Sequence, residues 1–153
     1  MHKFVSFNHQ ITLASQTKLS AISSATFYGK GIFTTLAVYD SKPFLWEKHW
    51  RRLSENAFRI NIDLSEFTEQ IVYNSLLEII AQNKVISGRL RITFFDDSAS
   101  QIWHLDTTKK TSCLINTGDL RKASAIKLTI SPFLINSTSP LVNIKSCNYL
   151  ENI

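Results

Sequence analysis

A lone lysine, Lys145, stands in the stretch SPLVNIKSCNYLENI with Val142, Ile144 and Leu150 around it. Apolar neighbours disfavour the ammonium form and lower a lysine's pKa from its ordinary value of about 10.4. A lysine so placed presents a neutral amine, the nucleophile that condenses with an aldehyde. Its neighbours alone also allow a surface lysine whose stem crosses an apolar patch while the charge stays in water. The segment after it reads as the first turn of a helix.

Arg52 is the second candidate. Trp46, Trp50, Leu53, Ala57 and Ile60 recur at helical spacing, and His49, Arg52, Asn56 and Arg59 follow along one flank of that stripe. An arginine at the edge of a core holds a phosphate bidentately while its stem packs. Arg52 also lies near Glu47 and Glu55, so an ordinary solvated helix face is the alternative. The pair of glycines in YGKGIF lacks the third glycine and the following helix of a dinucleotide fingerprint, and reads as a turn or bulge. The four histidines show no metal-ligand spacing, and no serine sits in a G-x-S-x-G elbow.

The elements that must position these residues are legible from period. KFVSFNHQITLA reads as a hairpin turning at Asn8-His9, and a polar stretch follows to about Ala25. From Ile32 to Tyr39 the residues alternate with period two. Asp40-Ser41-Lys42-Pro43 turns that strand, and Phe44-Leu45-Trp46 begins its return. After the Trp46–Ile60 helix, NIDLSEFTEQIVYNSLLEIIAQNK forms a second. Asp63 or Ser65 is expected at its cap, with Glu66 completing a capping box and Tyr73, Leu76, Leu77 and Ile80 facing inward. GRLRITFFDD is a strand with Leu90, Ile92 and Phe94 on one face, and SQIWHLD, TSCLINT and AIKLTIS suggest further strands. The expected class is α+β: an amino-terminal antiparallel sheet with two helices over residues 1–119. A polar linker is expected around Gly118–Lys122. Residues 120–153 are too few to bury a core of their own and read as the start of an incomplete, β-rich second domain.

The chain has 153 residues, 44% of them apolar and 19% charged, a balance that supports a packed core and excludes a disordered chain. Its net charge of +5 comes from scattered lysines and arginines, without the basic run of a nucleic-acid binder. No apolar run is long enough to span a membrane, and no signal peptide is evident. The two cysteines, Cys113 and Cys147, lack a C-x-x-C spacing and fit reduced thiols of a cytoplasmic protein.

Taken in order, three segments resemble the fold-type IV, pyridoxal-phosphate-dependent class IV aminotransferases. That family includes branched-chain and D-amino acid aminotransferases and 4-amino-4-deoxychorismate lyase. FYGKGIFTTLAVYDSKPFLWEKHWRRLSENAFRINI resembles its amino-terminal block with the His-x-x-Arg-Leu helix, GRLRITFF its next strand, and SPLVNIKSCNYLENI its cofactor-lysine segment. The resemblance implies that Lys145 bonds the aldehyde of pyridoxal 5'-phosphate and shuttles the substrate's α-proton. It also implies that Arg52 binds the cofactor phosphate, that Tyr149 approaches the ring hydroxyl, and that Phe33 lines the substrate pocket. Thr34 departs from the family, standing where many members carry Glu, which bears on substrate rather than cofactor. The implied activity is amino-group transfer between an amino acid and a 2-oxo acid, in a homodimer and without metal. The tyrosine after Asn148 leans toward transaminases over the lyase, which eliminates pyruvate with the same lysine. In the family, the ring-nitrogen carboxylate and the phosphate loops follow the lysine segment. The expectation is therefore a chain truncated within its second domain. The reading of another class is a non-catalytic product with an apolar patch over residues 126–150 that favours association.

Overall fold

The computed structural model describes residues 1–100, 109–120, 125–132, 134 and 136–150. Asn8 and His9 both adopt the left-handed backbone, φ 47° and 68°, that a two-residue hairpin requires. They join β1 (Phe4–Phe7) to β2 (Gln10–Leu13) as the sequence predicts. β3 (Gly31–Tyr39) turns through Asp40 and Ser41, again at positive φ, into β4. The return strand is shorter than expected: β4 holds Lys42 and Pro43 alone. Leu45 takes a left-handed backbone, φ 52°, which ends the extended run and lets Trp46 open a helix. β5 (Gly88–Asp96) and β6 (Thr111–Asp119) complete a six-stranded antiparallel sheet in the order β2-β1-β6-β5-β3-β4. Gly118 and Asp119, expected in a linker, pair with Arg89 and Gly88 as the last residues of β6.

Three helices accompany the sheet. α1 (Ser24–Tyr28) falls where a polar stretch was expected; the Ser23 hydroxyl accepts from Thr26 N–H, and Gly29 closes it at φ 64°. α2 (Trp46–Arg59) buries Trp46, Leu53 and Ala57, as its stripe predicts. α3 (Glu69–Gln82) starts later than expected. Asp63 accepts from Ser65 N–H at 2.9 Å in a local turn, which leaves Thr68 to cap the helix by accepting from Ile71 N–H. Its inward face is Val72, Ser75, Leu76, Ile79 and Ile80; Leu77 points outward. Replacing Thr68 by alanine is expected to cost about 1 kcal/mol, read from the urea midpoint.

The core lies between one sheet face and these helices. Ile32, Leu36, Leu90, Ile92, Phe94 and Ile115 of the sheet meet Leu53, Val72, Leu76 and Ile79 of the helices. The strand expected over AIKLTIS is not formed. Ile126, Leu128 and Ile130 alternate as a strand would, but they are 73%, 86% and 94% exposed and pair with none of the described strands. A strand without a partner leaves its backbone groups unpaired, so alternation alone does not make one. The SQIWHLD segment falls almost wholly outside the described residues. None of the described helices is long and apolar enough to cross a membrane.

Candidate functional site

A 3-10 turn is reached at Leu150, and the lysine segment before it is extended around Ser146. It runs antiparallel along the start of β3, on the edge that β4 leaves uncovered. Phe33 N–H donates to the Lys145 carbonyl at 2.9 Å, Cys147 N–H donates to the Gly31 carbonyl at 2.8 Å, and Ser146 bridges Ile32. Alternation then fixes side-chain direction. Ser146 turns inward opposite core residue Ile32 and is 4% exposed, while Lys145 and Cys147 share the other face with Phe33.

Gly31, the second glycine of YGKGIF, makes this approach possible: a methyl group there would sit 2.9 Å from Cys147 Sγ. Gly29 serves the turn before it, at φ 64°, where a side chain would be strained. Between them Lys30 anchors the head of β3 through a 2.7 Å ion pair with Asp96. Burial raises the Asp96 carboxyl, but hydrogen bonds from Lys30 and Ser98, with the Lys30 charge, outweigh it and hold it below its ordinary value. A depressed carboxyl stabilises the fold fully above its unfolded pKa, about 3.9, and loses that contribution as pH falls through the folded value. Asp96→Asn is therefore expected to lower the urea midpoint at pH 7 by about 2 kcal/mol equivalent, and to differ far less from wild type near pH 2.

Lys145 is half-buried, with Nζ 4.7 Å from the centre of the Phe33 ring and 4.9 Å from that of Tyr149. The two rings meet edge to face at 5.2 Å and 82°. The Arg91 guanidinium covers Phe33 at 3.6 Å. Burial raises the Cys147 thiol, with Arg91 partly opposing, so it is a neutral thiol at neutral pH.

Helix α2 faces the same segment. Its flank residues divide the work that their register predicts. Arg52 donates to Thr34 Oγ1 of β3, and Thr34 Oγ1 lies 2.7 Å from His49 Nδ1. Two turns further along α2, Arg59 donates to the Val142 carbonyl at 3.1 Å and ties the helix to the loop before the lysine. Asn56, between them, is buried at 4% exposure. Arg52, Lys145 and Tyr149 line one cleft of about 500 Å³ whose floor is the 141–146 loop. Of its lining side chains Arg52 and Lys145 carry charge, and none is acidic. The cleft therefore favours an anion, and no cluster of metal-ligating side chains occurs among the described residues.

The family model of class IV amino-transferases matches residues 31–153. The chain belongs to the class IV aminotransferase family. No curated protein matches it. Among solved structures it is similar to the branched-chain amino acid aminotransferase of Escherichia coli, at 17% identity and a TM-score of 0.82, over 97% of this chain and 52% of that one. A putative 4-amino-4-deoxychorismate lyase of Legionella pneumophila is similar at 22% identity and a TM-score of 0.77, over 90% and 51% of the two chains. A branched-chain aminotransferase of the archaeon Thermoproteus uzoniensis gives 17% identity and a TM-score of 0.71, over 80% and 42%. This class IV aminotransferase chain thus spans about half the length of the structures it matches, and shares with them the mixed α+β fold.

The structure places Lys145, Arg52 and Tyr149 on one cleft, with Phe33 packed against Lys145 and Tyr149. Sequence reasoning missed Arg91, gave Arg59 a place on the flank but no role, and assigned Thr34 to the substrate side, whereas it is buried against Arg52. Arg91 had a signal, since Thr93 is opposite Phe33 and Arg91 is its diagonal neighbour across the strand pair. Arg59 repeats the flank position of Arg52 two turns on. Thr34 stands out by its departure from the family's Glu, and the alternation of β3 turns it to the face opposite Phe33, toward α2.

Proposed function

We propose that this chain belongs to an enzyme that moves an amino group between an amino acid and a 2-oxo acid, with pyridoxal 5'-phosphate as cofactor. The observation that carries the reading is the convergence of an amine, a guanidinium and a phenol on one positively charged cleft. These donors fit a small aldehyde that also bears a phosphate and a phenolic oxygen. When bound, pyridoxal phosphate supplies the aldehyde and the ring that accepts the electron pair released at the substrate's α-carbon.

The chain's own residues supply the rest. Lys145 Nζ would bond the cofactor's aldehyde carbon and would serve as the base that holds or moves the substrate's α-proton. Arg52 would hold the phosphate through its N–H groups. Tyr149 would hold the ring oxygen, and Phe33, against which Lys145 packs, would wall the substrate side. Residues 1–119 serve as the amino-terminal domain, and residues 120–153 begin the cofactor-holding one. Amino acids and 2-oxo acids are the small-molecule partners, a second copy of the chain is the expected dimer partner, and the cytoplasm is the expected compartment.

The alternative within the family is 4-amino-4-deoxychorismate lyase, in which the same lysine serves elimination of pyruvate. The structural likeness to a putative 4-amino-4-deoxychorismate lyase supports this alternative. The reading of another class, a non-catalytic chain that associates, draws on the exposed Ile126, Leu128, Ile130 and Leu134. Borohydride reduction of the purified chain with pyridoxal phosphate, followed by peptide mapping, tests the central claim. The reading requires a pyridoxyl group on Lys145, and a label spread over surface lysines would refute it. Assays with glutamate and branched 2-oxo acids, set against 4-amino-4-deoxychorismate, separate the two activities.

A further inference from the structure

We infer that Thr34 and His49 are positioning residues, which fix the Arg52 guanidinium at the cleft as an anion anchor without neutralising it. The inference rests on the proposed reading for the identity of the anion, a phosphate, and on geometry for the rest.

Hydrogen-bond capacity sets the direction of the chain of contacts. A guanidinium donates only, so Arg52 Nη2 gives its proton to Thr34 Oγ1. A threonine hydroxyl has one proton of its own to give. His49 Nδ1 lies 2.7 Å away and is the acceptor that this proton meets. Arg52 Nη2 also lies 3.4 Å from the same Nδ1, which presents a lone pair, rather than a proton, toward the guanidinium. The ring is thus the neutral tautomer with its proton on Nε2. Burial, and then the charge of Arg52, lower the His49 pKa and keep it so. Thr34 is fully buried, so its hydroxyl has no water to turn to.

The consequence is electrostatic. Both groups that hold Arg52 are uncharged. The ion pairs among the described residues join Lys30 to Asp96, Lys110 to Asp97 and His2 to Asp119, and none of these carboxylates reaches Arg52. A carboxylate at the Thr34 position would hold the guanidinium equally well but cancel its charge; a hydroxyl fixes the geometry and leaves a whole positive charge for the ligand.

Thr34→Val keeps the shape and β-branching of the side chain and removes both hydrogen bonds. Binding of pyridoxal phosphate and of pyridoxal to the intact chain is measured for wild type, Thr34→Val, Thr34→Ser and Arg52→Ala. The expected result is a loss of about tenfold in affinity for pyridoxal phosphate with Thr34→Val, no change for pyridoxal, and recovery with Thr34→Ser. A Thr34→Val variant that keeps the full preference for the phosphorylated ligand, while Arg52→Ala loses it, overturns the positioning role alone. An Arg52→Ala variant that keeps the preference instead removes Arg52 from the proposed cofactor site. A readout that needs no ligand accompanies these: nitrogen NMR of the Arg52 guanidinium and the His49 ring. In wild type Nδ1 is unprotonated and the guanidinium slow to rotate, and Thr34→Val frees it. His49→Leu, which deletes the far end of the chain of contacts, moves the guanidinium signal in the same direction should Thr34→Val not fold. A guanidinium equally restrained in the variants overturns the inference.

Discussion

Replacing Lys145 with alanine is expected to abolish borohydride-fixed uptake of pyridoxal phosphate while leaving stability within about 1 kcal/mol of wild type. The two halves of this expectation have separate causes. What attaches the segment to the sheet is its backbone: the Lys145 carbonyl accepts from Phe33 N–H, and the Cys147 N–H donates to Gly31. Alanine retains both bonds. The side chain contributes its approach to two aromatic faces, worth about 0.5–1 kcal/mol at a partly exposed site. The nucleophilic amine, by contrast, has no substitute in the cleft, because the other lining cation is a guanidinium that stays protonated. Lys145→Arg separates charge from nucleophilicity. It preserves the cation over Phe33 and Tyr149, and is expected to match wild-type stability while taking up no label. Urea denaturation and mass mapping of the reduced protein check both variants. A label undiminished in Lys145→Ala would remove this residue from the chemistry, whatever its position.

The parts of this architecture that a single chain reveals are those where local period and tertiary burial agree. Leu90, Ile92 and Phe94 alternate in sequence and share a face in the core, and the Trp46-to-Ala57 stripe is both helical and buried. Where several local choices are comparable, the pattern misleads. Asp63-x-x-Glu66 and Thr68 are both plausible helix starts, and the choice falls to Thr68 because Asp63 is engaged by Ser65. α1 is bracketed by Ser23 and Gly29, a cap and a stop, but five residues are too short to show a period. Residues 126–130 have the alternation of a strand without a partner among the described ones. The site sits between these cases. Residue type and resemblance single out Lys145 and Arg52. That the lysine travels on an extended segment, laid along β3, depends on contacts between residues far apart in the chain, which no window of sequence contains. The same holds for Arg91 over Phe33 and for Thr34 beneath Arg52.

The seat for that segment is expected to fail when Gly31 becomes alanine. A methyl group there would lie 2.9 Å from Cys147 Sγ, 3.0 Å from the Phe94 carbonyl oxygen and 3.1 Å from Phe95 Cβ. The last two belong to β5, whose register with β3 pairs Gly31 with Phe95 and continues to Val38 with Gly88, so they cannot withdraw without cost to the whole ladder. The Cys147 side chain belongs to a segment held at this edge by the two backbone bonds that form the Ile32–Ser146 bridge. The easier relaxation therefore moves residues 145–148 away from the sheet and carries Lys145 with them. Overpacking of this kind costs about 1–3 kcal/mol. Cys147→Ala removes the atom at closest approach and, combined with Gly31→Ala, is expected to restore about half of the loss. The two substitutions should thus be coupled rather than additive. The checks are urea midpoints for the four members of the cycle and the rate of pyridoxal phosphate uptake in each. Strict additivity would mean that the glycine does not serve to admit the lysine segment. Coupling in stability together with slowed uptake in Gly31→Ala, relieved in the double variant, would tie the glycine turn of the amino-terminal domain directly to the placement of the amine.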